Sequence, residues 1–261
     1  METSAQPPET LEGWFALHQL FSLDRRAIRE LSPDRLRDTR CSAADTLRGL
    51  QAPDGEGWSA VVALVGSTAD LLLVHFRPSL DELANVQERV ARMSLMEVLR
   101  PLSFFLSVTE VGLYQLAAHA PDDPKRDQRL QAERESPHTV RRLFPSAPDG
   151  MPYVSFYPMS KRRDAGQNWY TLPLAERSKL MQSHGLTGRR YAGRVLQIIT
   201  GAIGLDRWEW GVTLFARDPV DFKKLVTEMR FDEVSAKYAE FGDFYVGRLV
   251  EPEHWLQGLG G

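Results

Sequence analysis

One order of elements occurs twice along this chain of 261 residues: strand, helix, strand, strand, helix, strand. In the first half, residues 14–21 read as a strand and 34–50 as a helix, with Ser32 as N-cap and Pro33 at the first helical position. Residues 58–65 and 70–76 read as a hairpin across Gly66-Ser67-Thr68. A helix is predicted over 79–99, where Ser79 and Glu82 form a capping box, and a strand over 104–114. In the second half, 151–159 is a strand and 174–191 a helix behind Pro173. Residues 193–200 and 207–215 form a hairpin, 218–229 a helix capped by Asp218 with Pro219 after it, and 244–250 the last strand. Each set has the order of a ferredoxin-like plait. The expected fold is therefore α+β: two packed antiparallel sheets with helices outside, forming a dimeric α+β barrel-like core from tandem plaits. The halves share negligible sequence identity, so the repeat rests on element order alone.

The same reading divides the chain into parts. Residues 1–11 are polar and proline-rich and are expected to be disordered. Residues 12–115 form an N-terminal half and 151–261 a C-terminal half. Between them, 116–150 carries PDDPKRDQR and then ESPHTVRRLFPSAPDG. A charged connection of that length is a linker or a functional crossover that contributes to a pocket. The 32 Lys+Arg against 35 Asp+Glu give a net charge of −3, without the basic footprint of a nucleic-acid binder. A lone cysteine, Cys41, makes neither an internal disulfide nor a multi-cysteine metal site. The longest apolar runs, such as 69–74, are far short of a membrane span. The start METSAQPPETLEG lacks the basic and apolar regions of a signal peptide, so the expected location is the cytoplasm.

Six histidines, His18, His75, His119, His138, His184 and His254, come without HExxH, HxH or a carboxylate cluster. Walker, GxGxxG and GxSxG patterns are also missing. His184 lies one turn after Leu180 and Met181 on the helix over 174–191 and shares their stripe. A histidine so placed is more often a hydrogen-bonded core residue than a ligand, but an inward imidazole beside open apolar space can also hold a haem iron. Gly185 and Gly188 would let another surface approach that helix. Tyr157-Pro158-Met159-Ser160-Lys161 ends a strand with a phenol and an ammonium four residues apart, followed by Arg162-Arg163. The bland alternative there is a strand edge and a solvated turn. Gln197 shares a strand face with Val195 and Ile199, which suits either an exposed face or a pocket with a polar task.

The stretches FYPMSKRR, NWY at 168–170, SHGLTGRRYAGRVLQIITG at 183–201 and WEWGVTLFARDPVDFKKLVTEMRFDEVSAKYAEFG at 208–242 closely resemble the coproheme decarboxylases. These are the haem-synthesis members of the chlorite dismutase-like superfamily. The resemblance is nearly continuous over 140–248 and weaker over 12–115. It implies a tandem ferredoxin-like fold, usually assembled as a homopentamer. It makes His184 the axial iron ligand, Tyr157 the catalytic tyrosine that becomes a radical, and Lys161 the residue at the reacting propionate. Pro158, Met159 and Ser160 belong to the same binding loop, Gln197 to the distal side, Trp169 to the pocket, and Ser235 to a propionate. Arg142 would bind a propionate, with Arg141 the alternative because the local spacing departs by one residue. The second partner of His184 is left among Glu228, Asp232 and Glu233.

The implied reaction is oxidative decarboxylation of propionates 2 and 4 of Fe-coproporphyrin III (coproheme) to vinyl groups, giving haem b, with hydrogen peroxide as oxidant. Coproheme is then both substrate and redox cofactor. A chlorite dismutase-like haem enzyme would carry an arginine where Gln197 stands. A non-catalytic haem-binding protein would need His184 but not Tyr157 with Lys161. The basic stretch 125–142 is expected either to make transient contact with a ferrochelatase or to stay solvated.

Overall fold

A computed structural model of the chain describes residues 5–51, 53, 55–114 and 125–260. His119 and residues 1–4 of the segment expected to be disordered lie outside the described residues. The first half runs β1 (Thr10–Leu23), α1 (Arg25–Glu30), α2 (Pro33–Gln51), β2 (Trp58–Leu64), β3 (Leu71–Arg77), α3 (Leu80–Ala91) and β4 (Leu99–Gly112). Two short helices follow, α4 (Arg126–Glu135) and α5 (Pro137–Leu143). The second half runs β5 (Tyr153–Lys161), the small pair β6 (Arg163–Asp164) and β7 (Gln167–Asn168), α6 (Leu174–Arg189), β8 (Val195–Gly201), β9 (Trp210–Ala216), α7 (Val220–Phe231), α8 (Glu233–Tyr238), β10 (Ala239–Phe241), β11 (Tyr245–Leu249) and α9 (Pro252–Gln257).

The two plaits face one another as expected, but they are also joined at both edges. β11 pairs with β2, β4 pairs with β8, and β5 pairs with both β11 and β9. The expected barrel-like core is thus closed, its two sheets continuous as one antiparallel barrel. Closure satisfies the edge groups that two separate sheets would leave open. Its interior is filled from both halves, by Leu20, Val62, Val74, Phe76 and Phe105 on one side and Val154, Phe156, Ile198 and Phe215 on the other. A second core lies outside the barrel beneath α2 and α3, and a third beneath α7. This explains why β3 reads as the unbroken run LLLVHFR, buried throughout, rather than as an alternation. Both of its faces are covered.

Local signals act where expected. Ser32 Oγ accepts from Arg35 N at 3.2 Å, and Ser79 Oγ accepts from Glu82 N at 3.2 Å. Asp218 Oδ1 accepts from Val220 N at 2.9 Å. The helix predicted over 79–99 ends instead at Ala91. Leu95, Val98 and Leu99 continue the apolar period and are buried, but in a 3₁₀ turn and the start of β4. Apolar spacing alone does not separate those cases. β1 starts at Thr10, inside the segment expected to be disordered, because Leu11 packs on Val111, Leu113 and Leu143.

Candidate functional site

The outer face of the second half gathers most of the residues singled out in the sequence. Strand alternation puts Tyr157, Met159 and Lys161 of β5 on this face. Trp210 and Val212 of β9 stand beside them, opposite Met159 and Tyr157. Gln197, Ile199 and Gly201 of β8 come next, and Gly201 pairs with Val108 of β4. Tyr157 and Gln197 are two strands apart, a lateral separation of roughly 10 Å. Tyr157, Lys161 and Val212 are buried on this face. Pro158 and Ser160 project from the opposite face, so they do not join this group through their side chains. Pro158 lies against Gly242, and Ser160 Oγ accepts from Glu209 N at 3.3 Å.

Tyr157 is buried, and its ring stacks on Phe244 at 4.3 Å and lies 5.9 Å from Phe241. Burial pushes its phenol up to about 12, with the charge of Arg230 opposing, so Tyr157 keeps its hydrogen at neutral pH. Lys161 is also buried, its Nζ 4.7 Å from the centre of the Trp169 ring. Burial pulls its ammonium down to about 8 against the charges of Asp232 and Glu209. Trp169 is itself packed on Val234 and Tyr238, and the buried Ser235 sits between those two in α8.

His184 approaches from α6, half-buried, and its Nδ1 lies 2.8 Å from Asp232 Oδ1. Burial lowers its pKa, and the Asp232 bond opposes that. With Nδ1–H donating to the carboxylate, Nε2 carries the lone pair, which is the state a metal ligand needs. Of the three acidic residues considered in the sequence, Asp232 is the partner. Glu228 instead accepts from Tyr191 OH at 2.6 Å, and Glu233 pairs with Lys237 at 2.6 Å. One turn beyond His184, a Cβ on Gly188 would lie 3.5 Å from Gln197 Nε2. Gly188 therefore brings α6 close to β8, whereas Gly185 faces open space. Leu180 and Met181 are only partly buried, and Leu186 is 53% exposed, so this helix lacks a filled apolar stripe.

Arg142 and Arg141 separate clearly: Arg141 is exposed, while Arg142 is half-buried. Burial lowers the Arg142 pKa, opposed by the charges of Glu110 and Glu133. Among the described residues no hydrogen bond reaches its guanidinium. Glu110 of β4 lies beside Gly201 on the same face and accepts from Trp210 Nε1 at 2.7 Å. Neither residue stands out in the sequence. Arg177, two turns before His184, is also buried, and its guanidinium donates to Gln6 O. The only sequence signal for Arg177 is its helical spacing from His184.

Known proteins resemble the chain in sequence and in fold. The family model described as chlorite dismutase matches residues 40–250. A coproheme decarboxylase of Staphylococcus saprophyticus is 42% identical over 257 residues, covering 97% of this chain and 98% of that protein. A Halobacterium salinarum protein described as haem-binding is 45% identical over 251 residues. That alignment covers 95% of this chain, which spans 50% of the relative's length. The solved structure of a haem-binding protein from Thermus thermophilus superposes with a TM-score of 0.87 at 42% identity, covering 98% of this chain and 99% of that one.

Proposed function

The chain belongs to the chlorite dismutase family, and from that premise we propose that it is a hydrogen peroxide-dependent coproheme decarboxylase that yields haem b. One observation carries the reading: a histidine with its Nε2 lone pair available, a protonated phenol and a buried ammonium converge on one face. A chlorite dismutase-like activity is less well supported, because Gln197 rather than a cationic side chain lies beside Gly188. A non-catalytic haem-binding role leaves the costly burial of Lys161 unexplained.

The donor set fits an iron porphyrin that bears several carboxylates. His184 would hold the iron, oriented by Asp232. Arg142 offers a guanidinium with its donors unspent, Lys161 an ammonium, and Ser235 a hydroxyl, all suited to propionates. When bound, the iron supplies the oxidising power that peroxide delivers. The chain's own contributions are positional. Lys161 fixes a propionate near the β5 face and neutralises its charge. Tyr157, four residues earlier and on the same face, would give its phenolic hydrogen, as proton and electron, to the peroxide-derived oxidant and take one back from the propionate β-carbon. A second electron would follow to that oxidant as carbon dioxide leaves. The stack on Phe244 holds the Tyr157 ring in place. Gln197 is neither a strong base nor a redox group and tunes ligand access only. The porphyrin thereby serves as substrate and redox cofactor.

Assembly into a homopentamer in the cytoplasm belongs to the same reading. Its support is β4, which pairs with β8 only at Val108 and Thr109 and bares Leu102 (49% exposed) and Phe104 (38% exposed) beside Leu80. Apolar side chains beside an open strand edge suit a second copy. Transient contact with a ferrochelatase has less behind it. α4 buries none of its residues and carries mixed charges, the pattern of a solvated helix. Among the described residues no helix is long and apolar enough to cross a membrane. The deciding experiment is anaerobic loading with ferric coproheme followed by peroxide titration. Stepwise loss of two carbon dioxide molecules by mass is expected, and an unchanged porphyrin mass would reject the activity.

A further inference from the structure

β5 outruns one of its neighbours. Its pairing with β9 ends at Met159 opposite Trp210, yet the strand continues to Lys161, which Ala239 of β10 meets on the other side. Hydrogen bonds alternate sides along an antiparallel strand, so the Lys161 N–H points to the side where β9 has stopped. A buried N–H without a partner would be costly there. The side chain of Glu209 takes the place of the missing strand: its Oε2 accepts from Lys161 N at 2.6 Å. Glu209 is buried, and its own backbone is fixed on both sides. Its N–H donates to Met159 O at 3.1 Å, and its carbonyl accepts from Ala202 N at 2.8 Å. The other carboxylate oxygen, Oε1, lies 3.5 Å from the Arg163 guanidinium. Between these two holds, Arg162 O accepts from Trp169 N at 3.0 Å, and the Trp169 ring is the one beneath the Lys161 ammonium. One carboxylate therefore fixes the stretch of backbone from which both Lys161 and its aromatic support are placed.

We propose that Glu209 positions Lys161 for a porphyrin propionate, standing in for the strand carbonyl that β9 does not supply. A carboxylate does this better than a carbonyl, because a charge-assisted hydrogen bond is shorter and stronger. The charges of Asp232 and Glu209 also favour the ammonium form of Lys161. The control is confined to one end of β5. Tyr157 lies within the ladder to β9, opposite Val212, and is set by the sheet itself. The same strand thus presents a phenol placed by backbone pairing and an ammonium placed by one side chain. Glu209 acts through Lys161, so it is a positioning residue and not a catalytic one. This inference rests on the porphyrin reading above and deepens it.

The test is binding of two porphyrins to the full chain without peroxide: ferric coproheme, and haem b, which lacks the two reacting propionates. Glu209→Ala should weaken coproheme binding roughly tenfold and leave haem b binding unchanged. A merely structural role would weaken both alike. In a Lys161→Gln background the same change should cost no further coproheme affinity, since a positioning residue acts only through what it positions. Glu209→Gln retains an acceptor for the Lys161 N–H and should recover most of the loss. Glu209→Asp keeps the charge but is one methylene too short for that N–H, so it should resemble the alanine variant. It decides the matter if Glu209→Ala does not fold. Equal losses for the two porphyrins, additive losses in the double variant, or a glutamine variant as weak as the alanine one overturns the positioning role and leaves the porphyrin reading intact. Absence of coproheme binding by the parent chain overturns both.

Discussion

His184 and Asp232 are 48 positions apart, and the imidazole Nδ1 lies 2.8 Å from the carboxylate Oδ1. The same oxygen accepts from Val234 N at 3.1 Å, so one carboxylate starts α8 and orients the ring on α6. The orientation of a would-be metal ligand is thereby tied to a helix cap.

That link makes the first prediction. His184→Ala should remove the axial-ligand absorption signature of bound coproheme while circular dichroism stays unchanged. Asp232→Asn keeps a cap acceptor but weakens the pull on the ring, and should lower coproheme affinity roughly 10–100-fold. An unaltered coproheme spectrum in the alanine variant would dismiss His184 as ligand.

Tyr157→Phe should bind coproheme and form no haem b. The ring keeps its stack on Phe244, so the fold should persist. If Tyr157 were only structural, the loss would be about 1 kcal/mol of stability with normal turnover. Affinity, thermal midpoint and decarboxylation, all measured on one preparation, separate these outcomes.

Lys161 gives an alkaline limit. Its ammonium, pulled down to about 8, is lost as pH rises through that value, so kcat/KM for coproheme should fall above it. Stability should move the other way. The unfolded chain holds that proton up to about pH 10.4 and the folded chain releases it earlier, so stability rises with pH between the two values. Lys161→Gln should be slow and should lack this alkaline fall. A parent profile flat to pH 9.5 would contradict the assignment.

Acid stability is set elsewhere, by His18 and His75. Both rings are buried, His18 stacked on Phe156 at 4.1 Å and His75 bonded to Ser59 Oγ at 2.7 Å. Burial holds each down to about 3. Between that value and about 6.5 the unfolded chain binds the protons and the folded chain does not, so stability is lost as pH falls through this window. Each histidine contributes a slope of up to ~1.4 kcal/mol per pH unit. Urea midpoints measured from pH 6.5 to 5 should drop, and a level series would refute the burial argument.

Much of this site could be read from the chain because its signals are local. The Ser79 cap, the β8–β9 hairpin and the alternation that unites Tyr157 with Lys161 depend on neighbours within a few residues. The tandem plaits imply a barrel-like core, but not which strands pair to close it. Nothing in the run WSAVVAL of β2 specifies β11 as its neighbour. Glu110 escaped for a similar reason. Its place is set by Trp210, 100 positions later, and by the room that Gly201 leaves. Strand alternation over 157–161 separates Pro158 and Ser160 from Tyr157, Met159 and Lys161.

The helix that carries His184 has an unusual core, since Arg177 is its one fully buried residue while Leu180 and Met181 are half-covered. A helix held this loosely gains its missing packing partner only when something flat and apolar lies against it. Loading the ligand would then complete the folding of α6, and amide exchange along that helix would slow on loading more than anywhere else in the chain.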